Sequence, residues 1–222
     1  MKVGAIHMTT MAVEPIREAF RELAPHVELV HFMDTGLLTL LTEEGVTPIL
    51  RRRIIHLIEL AEESGVGCIQ LTGSVFNPMI KSLQPLFHTK IFRSDEAMLD
   101  EALSYEKICL VSTAKLSVEA LSGYLKDKKP SIQIESVVNE EALKLLLEWK
   151  QEAHDNLMID IVENIKMDVD VIVLTQYSLA HIAARARTVI PILSAPQASA
   201  SKCAEYLALM ATQDPQSVAE EF

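Results

Sequence analysis

Short apolar runs alternate with longer stretches of helical period along this chain. Lys2–His7 reads as a strand, and Ala12–Leu23 as a helix with Thr9 or Thr10 available to cap it and Glu14 in its first turn. Val27–Phe32 reads as a second strand. Pro48–Ser64 is a long amphipathic helix closed by Gly65 and Gly67. Gly67–Leu71 is a third strand, followed by a turn at Thr72–Ser74 and a helix from about Asn77. Thr89–Phe92 is a fourth. Further on, Ile108–Ser112, Ile132–Val137, Val169–Leu174 and Ile190–Leu193 have the same strand character. Between them Ser117–Lys126, Asn139–Ile165 (broken near Trp149–Ala153) and Ser178–Arg187 read as helices, and Ala198–Ala211 is a closing helix. The strand runs show little alternation, as expected for parallel strands covered on both faces. Strand–helix alternation builds right-handed βαβ units, so the expected class is α/β.

The order of these elements occurs twice. Lys2-Val3-Gly4-Ala5-Ile6-His7, running on to Val13-Glu14-Pro15-Ile16, is answered by Lys107-Ile108-Cys109-Leu110-Val111-Ser112 and Val118-Glu119-Ala120-Leu121. Cys68-Ile69-Gln70-Leu71-Thr72-Gly73-Ser74 is answered by Val171-Ile172-Val173-Leu174-Thr175-Gln176-Tyr177. A duplicated unit predicts two pseudo-symmetric parallel-sheet domains with a cleft between them. The expected division is residues 1–93 plus 198–222 for the first half and 94–197 for the second. No linker is rich in Gly, Pro or Ser, so the halves should pack tightly.

Composition narrows the function classes. With 49% hydrophobic residues the chain can bury a core, which argues against disorder. A net charge of −11 lacks the basic field of a nucleic-acid surface. Arg51-Arg52-Arg53 is the one basic run and reads as a solvated helix face. No apolar run approaches the roughly 20 residues of a membrane span, and the opening residues lack the apolar stretch of a secretory signal. Three cysteines are too few and too odd in number for a disulfide framework. A reducing cytoplasm is the expected compartment. No CxxC, HxH or HExxH spacing suggests a metal, and no glycine loop of the GxGxxG or GxxxxGK[ST] kind suggests a nucleotide. GxSxG is absent as well.

In open parallel sheets, ligands bind beyond the carboxyl ends of the strands. His7, Met8, Thr9 and Thr10 follow the first strand; Thr72, Gly73, Ser74, Val75 and Asn77 follow the third. Ser112, Thr113, Ala114 and Lys115, then Thr175, Gln176, Tyr177 and Ser178, hold the matching places in the second half. Each cluster is small, polar and opens a helix, which suits a carboxylate held by backbone N–H groups and hydroxyls. The same residues also serve as plain N-caps. His7 is a candidate acid/base group, although a lone His at a strand end is more often a hydrogen-bonded structural residue, and His181, one turn into the helix after Gln176, is a candidate to approach the same cleft. Tyr177 is a candidate proton donor or a ring packed at the domain seam. Lys115 either pairs with a substrate carboxylate or lies in solvent.

The duplicated layout, with Leu71-Thr72-Gly73-Ser74-Val75-Phe76-Asn77-Pro78, Leu174-Thr175-Gln176-Tyr177-Ser178 and Ser94-Asp95-Glu96-Ala97-Met98, resembles the aspartate/glutamate/hydantoin racemase superfamily, which includes arylmalonate- and maleate-processing relatives. The resemblance implies cofactor-independent chemistry, with one cysteine on each of the two equivalent turns moving a proton next to a carboxylate. By that resemblance Gly73 and Gln176 occupy the two cysteine positions, so the two-thiol mechanism is not supported here. Gly73-Ser74 resembles the half of a decarboxylating relative that holds a carboxylate, but that relative keeps a thiol where Gln176 stands. Cys68 and Cys109 fall inside strands and Cys203 on the last helix, where free Cys is a small core residue.

Two functions remain open from sequence. One is a cofactor-independent isomerase or lyase acting on a small carboxylic acid, with Thr9, Thr10, Gly73, Ser74, Val75, Asn77, Thr113, Gln176 and Ser178 around the ligand and His7, Tyr177 or His181 moving the proton. The other is a sensor or regulatory protein that binds a small carboxylate on the same scaffold without turning it over. A homo-oligomer is expected, as for many soluble enzymes, with neither nucleic acid nor membrane as partner.

Overall fold

A computed structural model describes residues 1–213 of the chain, except for the side chains of Val75 and Gln213. It has two four-stranded parallel sheets. The first contains β1 (Lys2–His7), β2 (Glu28–Met33), β3 (Cys68–Leu71) and β4 (Lys90–Phe92), in the order β2-β1-β3-β4. The second contains β5 (Lys107–Ser112), β6 (Gln133–Val138), β7 (Val171–Leu174) and β8 (Ile192–Ser194), in the order β6-β5-β7-β8. The registers repeat as well. Val3 faces Cys68 as Ile108 faces Val171, and Lys2 faces Glu28 as Lys107 faces Gln133. The molecule is α/β, with two pseudo-symmetric halves.

The helices are α1 (Val13–Leu23), α2 (Gly36–Glu44), α3 (Pro48–Glu63), α4 (Ile80–Leu83) and α5 (Glu96–Ala102), then α6 (Lys115–Lys128), α7 (Glu140–Leu147), α8 (Gln151–Glu163) and α9 (Ala195–Gln213). None of the described helices is long and apolar enough to cross a membrane. Helix α9 packs on α1, α5 and β3. The stretch 214–222 of the expected first half lies outside the described residues.

Strand residues divide by parity between two kinds of core. Val3 and Cys68 in one sheet, and Ile108, Leu110, Val171 and Val173 in the other, join a single core that runs between the sheets with α1, α6 and α9. Their neighbours point outward. Ile6, Ile69 and Leu71 pack under α2 and α3, while Cys109, Val111, Ile172 and Leu174 pack under α8. Both strand faces are therefore apolar, which is why the runs lack alternation.

Three sequence expectations change. Residues Gly36–Glu44, left without an element, form α2, held at its start by the Asp34 carboxylate accepting from Gly36 N–H at 3.0 Å and closed by Gly45 at φ 73°. Glu96–Ala102, also unassigned, form α5. The helix expected over Ser178–Arg187 is a 3-10 turn of Tyr177–Ile182, matching a second 3-10 turn at Ser74–Met79. The expected break in the long helical stretch does occur. α7 ends in a Schellman arrangement, with Lys150 N–H on Leu145 O and Trp149 N–H on Leu146 O.

Candidate functional site

The four strand-end turns converge between the halves. Thr9 after β1, Thr72, Gly73 and Ser74 after β3, and Gln176 and Ser178 after β7 line one cavity of about 150 Å³. The start of α6 closes its floor through Ala114, Leu116 and Ser117. Across that floor Ser74 Oγ donates to Ser117 Oγ at 3.1 Å, tying one half to the other. The upper walls come from α2, through Leu38, Leu41 and Thr42, and from α7, through Leu143 and Leu146. These two helices follow β2 and β6, so the pseudo-symmetry builds the walls as well as the floor.

The two equivalent bends are chemically different. Gly73 has an extended backbone, φ −102° and ψ 108°, which any residue can adopt. What it supplies is space, since a Cβ there would lie 2.7 Å from Met8 Sδ and 3.2 Å from Phe76 Cδ2. Gln176 has an extended backbone too, but its side chain folds back onto the turn after β5. Its Oε1 accepts from Thr113 N–H at 2.8 Å and from the Thr113 hydroxyl at 3.1 Å. The amide thus fills, from within the protein, the acceptor place at Thr113.

Acid/base groups stand behind the cavity rather than in it. His7 is fully buried at the end of β1. The Thr72 hydroxyl gives its proton to Ile6 O, 3.0 Å away, so His7 Nδ1–H donates to Thr72 Oγ1 at 3.0 Å. His7 Nε2 is left to accept from His31 Nδ1–H at 2.8 Å. Burial, then the neighbouring His31, push the His7 imidazole down to about 4, so it is neutral. A hydrogen-bonded line therefore joins the cavity-lining Thr72 to His31 on the surface.

Tyr177 lines the cavity with its ring, but its hydroxyl is turned to the seam. It donates to Ser199 Oγ at 2.8 Å, and Ser199 donates to Ser94 O at 3.0 Å. Burial pushes the phenol far above its ordinary range. Its ring joins the core between the sheets. His181 lies on the 3-10 turn after β7, away from the cavity lining, with Nε2 2.8 Å from Asp155 Oδ1 but not aligned for a hydrogen bond. Asp155 is nearly buried and also receives His154 Nδ1 at 2.9 Å, Gln151 Nε2 at 2.7 Å and Arg185 Nη1.

The remaining sequence candidates divide as follows. Thr10 is exposed and outside the cavity. Asn77 is buried and turned toward β4, where its Nδ2 donates to Ser94 Oγ at 3.1 Å and its Oδ1 accepts from Ser94 N–H at 3.2 Å. Thr113 is buried and spent on Gln176. Lys115 is exposed and outside the lining. Val75 sits on the 3-10 turn Ser74–Met79, with its side chain outside the described residues. Cys68, Cys109 and Cys203 are all buried and none lines the cavity. Burial, then Glu135, lifts Cys109 to about 11, and contact with Cys68, then burial, raises Cys203. No group of three or more potential metal ligands occurs among the described residues.

Neither a family model nor a curated relative matches the sequence. Solved structures do. Aspartate racemase from Picrophilus torridus superposes with a TM-score of 0.75 at 16% identity, covering 93% of this chain and 94% of that one. This is the racemase fold. Glutamate racemase from Thermus thermophilus, solved with β-chloro-D-alanine, shares the fold at a TM-score of 0.70 and 15% identity, over 97% of this chain and 83% of its own. Allantoin racemase from Klebsiella pneumoniae does so at 0.68 and 16%, over 95% and 89%. On this racemase fold, Gly73 and Gln176 stand at equivalent bends of the two halves and line one cavity.

Sequence reasoning missed the cavity walls. Leu38, Leu41, Leu143 and Leu146 carry no chemical signature. The signal that could have found the first pair was helical spacing between the Asp34 start and the Gly45 stop.

Proposed function

We propose that this protein binds a small carboxylate in the seam cavity and releases it unchanged. The observation that carries the proposal is the lining. Hydroxyls and helix starts converge there, while Tyr177 is the one titratable side chain among the described lining residues, and its hydroxyl is bonded to Ser199. A carboxylate can be held ionised by a few backbone and hydroxyl donors without a cation. Moving a proton at carbon needs a group that can take it and return it, poised within reach. His7 is neutral and one residue removed, His181 faces Asp155, and no thiol is at hand.

The shared fold favours a second reading, a cofactor-independent isomerase or lyase acting on a small acid. In that case His7 would act through Thr72. Thermal-shift titration with a panel of small carboxylic acids separates the two. The binding reading expects a saturable rise in Tm, weakened by Ser74→Ala, and the same acid recovered after incubation. Consumption of the acid would establish the second reading instead.

A further inference from the structure

We infer that the ligand is a short aliphatic monocarboxylate, rather than a diacid or an α-amino acid. The inference rests on the reading that the cavity takes a carboxylate, and it adds what the remainder of that molecule must be.

Two features of the lining decide it. First, the lining away from the strand-end hydroxyls is aliphatic, apart from Thr42, whose hydroxyl is spent on Leu38 O and Thr39 O. Met11, Leu38 and Leu41 face the cavity from the first half, and Leu116, Leu143 and Leu146 from the second. Leu116 leaves 49% of its surface uncovered, although it lines the cavity, so the apolar face is open to a ligand rather than closed by protein. Second, Lys, Arg, His, Asp and Glu are all absent from the described lining. A second carboxylate, or the ammonium of an amino acid, would lie against the leucines with no opposite charge in the described lining to pair it. Burying such a charge costs far more than burying a methyl group returns.

Size gives the scale. A cavity of about 150 Å³ is the size that admits benzene, so the whole ligand holds about six or seven non-hydrogen atoms. With three of those in the carboxylate, a tail of about three or four carbons remains. That corresponds to butyrate or valerate and their branched isomers.

The test is calorimetric titration of the intact protein with acetate, propionate, butyrate, valerate, succinate and L-aspartate. Affinity is expected to rise about fourfold for each added methylene up to valerate. Succinate and aspartate are expected to bind at least tenfold more weakly than butyrate. Leu143→Ala, at a half-buried wall position, should weaken valerate several-fold and leave acetate unchanged. Leu143→Arg should improve succinate relative to butyrate. Succinate or aspartate binding as tightly as butyrate overturns this inference while leaving carboxylate binding intact. Failure of every acid in the panel to bind overturns the carboxylate reading itself.

Discussion

The bends after β3 and β7 occupy the same place in two halves of matching strand order and register, yet they are secured by different physics. The first is empty at Gly73 and its 3-10 turn is tied by a neutral amide, Asn77, to Ser94. The second is plugged by Gln176, and its 3-10 turn carries His181 and sits near Arg185, both against the nearly buried Asp155. Duplication therefore preserved backbone, register and cavity while leaving the side-chain chemistry free to diverge. Each half keeps a polar floor, and neither keeps a free acid/base group among the described lining residues.

The largest expected effect breaks the second anchor. Asp155→Ala leaves Arg185 and two histidines without their shared carboxylate and should cost about 3 kcal/mol or more. Asn77→Ala in the first half should cost about 1–2 kcal/mol. Chemical denaturation of the two variants checks the ranking; equal losses would remove the contrast between ionic and neutral anchoring. Next, Gln176→Ala strands the buried Thr113 N–H and should cost about 2 kcal/mol. Gly73→Ala displaces the flexible Met8 side chain and crowds the buried Phe76 ring, and should cost about 1–2 kcal/mol.

Two buried carboxylates should also respond to pH in opposite senses. Burial opposes ionisation of Asp155, but its hydrogen bonds from His154, its contacts with His181 and the bond from Gln151 outweigh it and hold its pKa below 3.8. Its stabilisation is present in full above pH 3.8 and fades as pH falls below that. Just after β4, burial of Asp95, only partly offset by Arg93, raises its carboxyl to about 6. That residue's cost is absent at pH 3.8 and grows as pH rises to about 6. The stability of the Asp95→Asn variant relative to the parent should therefore improve between pH 4 and pH 7. The deficit of Asp155→Asn should shrink only below about pH 4. Stability curves across that range that run parallel for parent and variants would contradict both assignments.

The smallest effect sharpens the comparison at the helices that form the walls. α2 ends at Gly45 with φ 73°, whereas α7 ends at Trp149 with φ 62°, a conformation that suits glycine and strains a side chain. Trp149 is 87% exposed, so its ring loses little by removal. Trp149→Gly should raise stability by about 1 kcal/mol, and Gly45→Ala should lower it by about as much. Differential scanning calorimetry reads both.

The strands and the internal repeat were legible in the sequence because parity and order survive even where identity does not. Lys2–His7 and Lys107–Ser112 show this, sharing little but their pattern. The convergence of Thr9, Gly73, Ser74, Gln176 and Ser178 followed from the rule that ligands sit beyond strand ends. Where Tyr177, His7 and His181 point could not be read, since partners such as Ser199, His31 and Asp155 lie far away in sequence and meet them only through packing. The leucines of α2 and α7 were hidden for another reason. An apolar residue facing a cavity looks the same in sequence as one facing a core.

The most direct measurement of the central claim is proton NMR of butyrate held with the protein in heavy water. The account predicts line broadening of the butyrate signals as it enters the cavity, relieved by Leu143→Ala, with the protons next to the carboxylate retained over days. Steady replacement of those protons by deuterium, at a rate proportional to protein concentration, would contradict it.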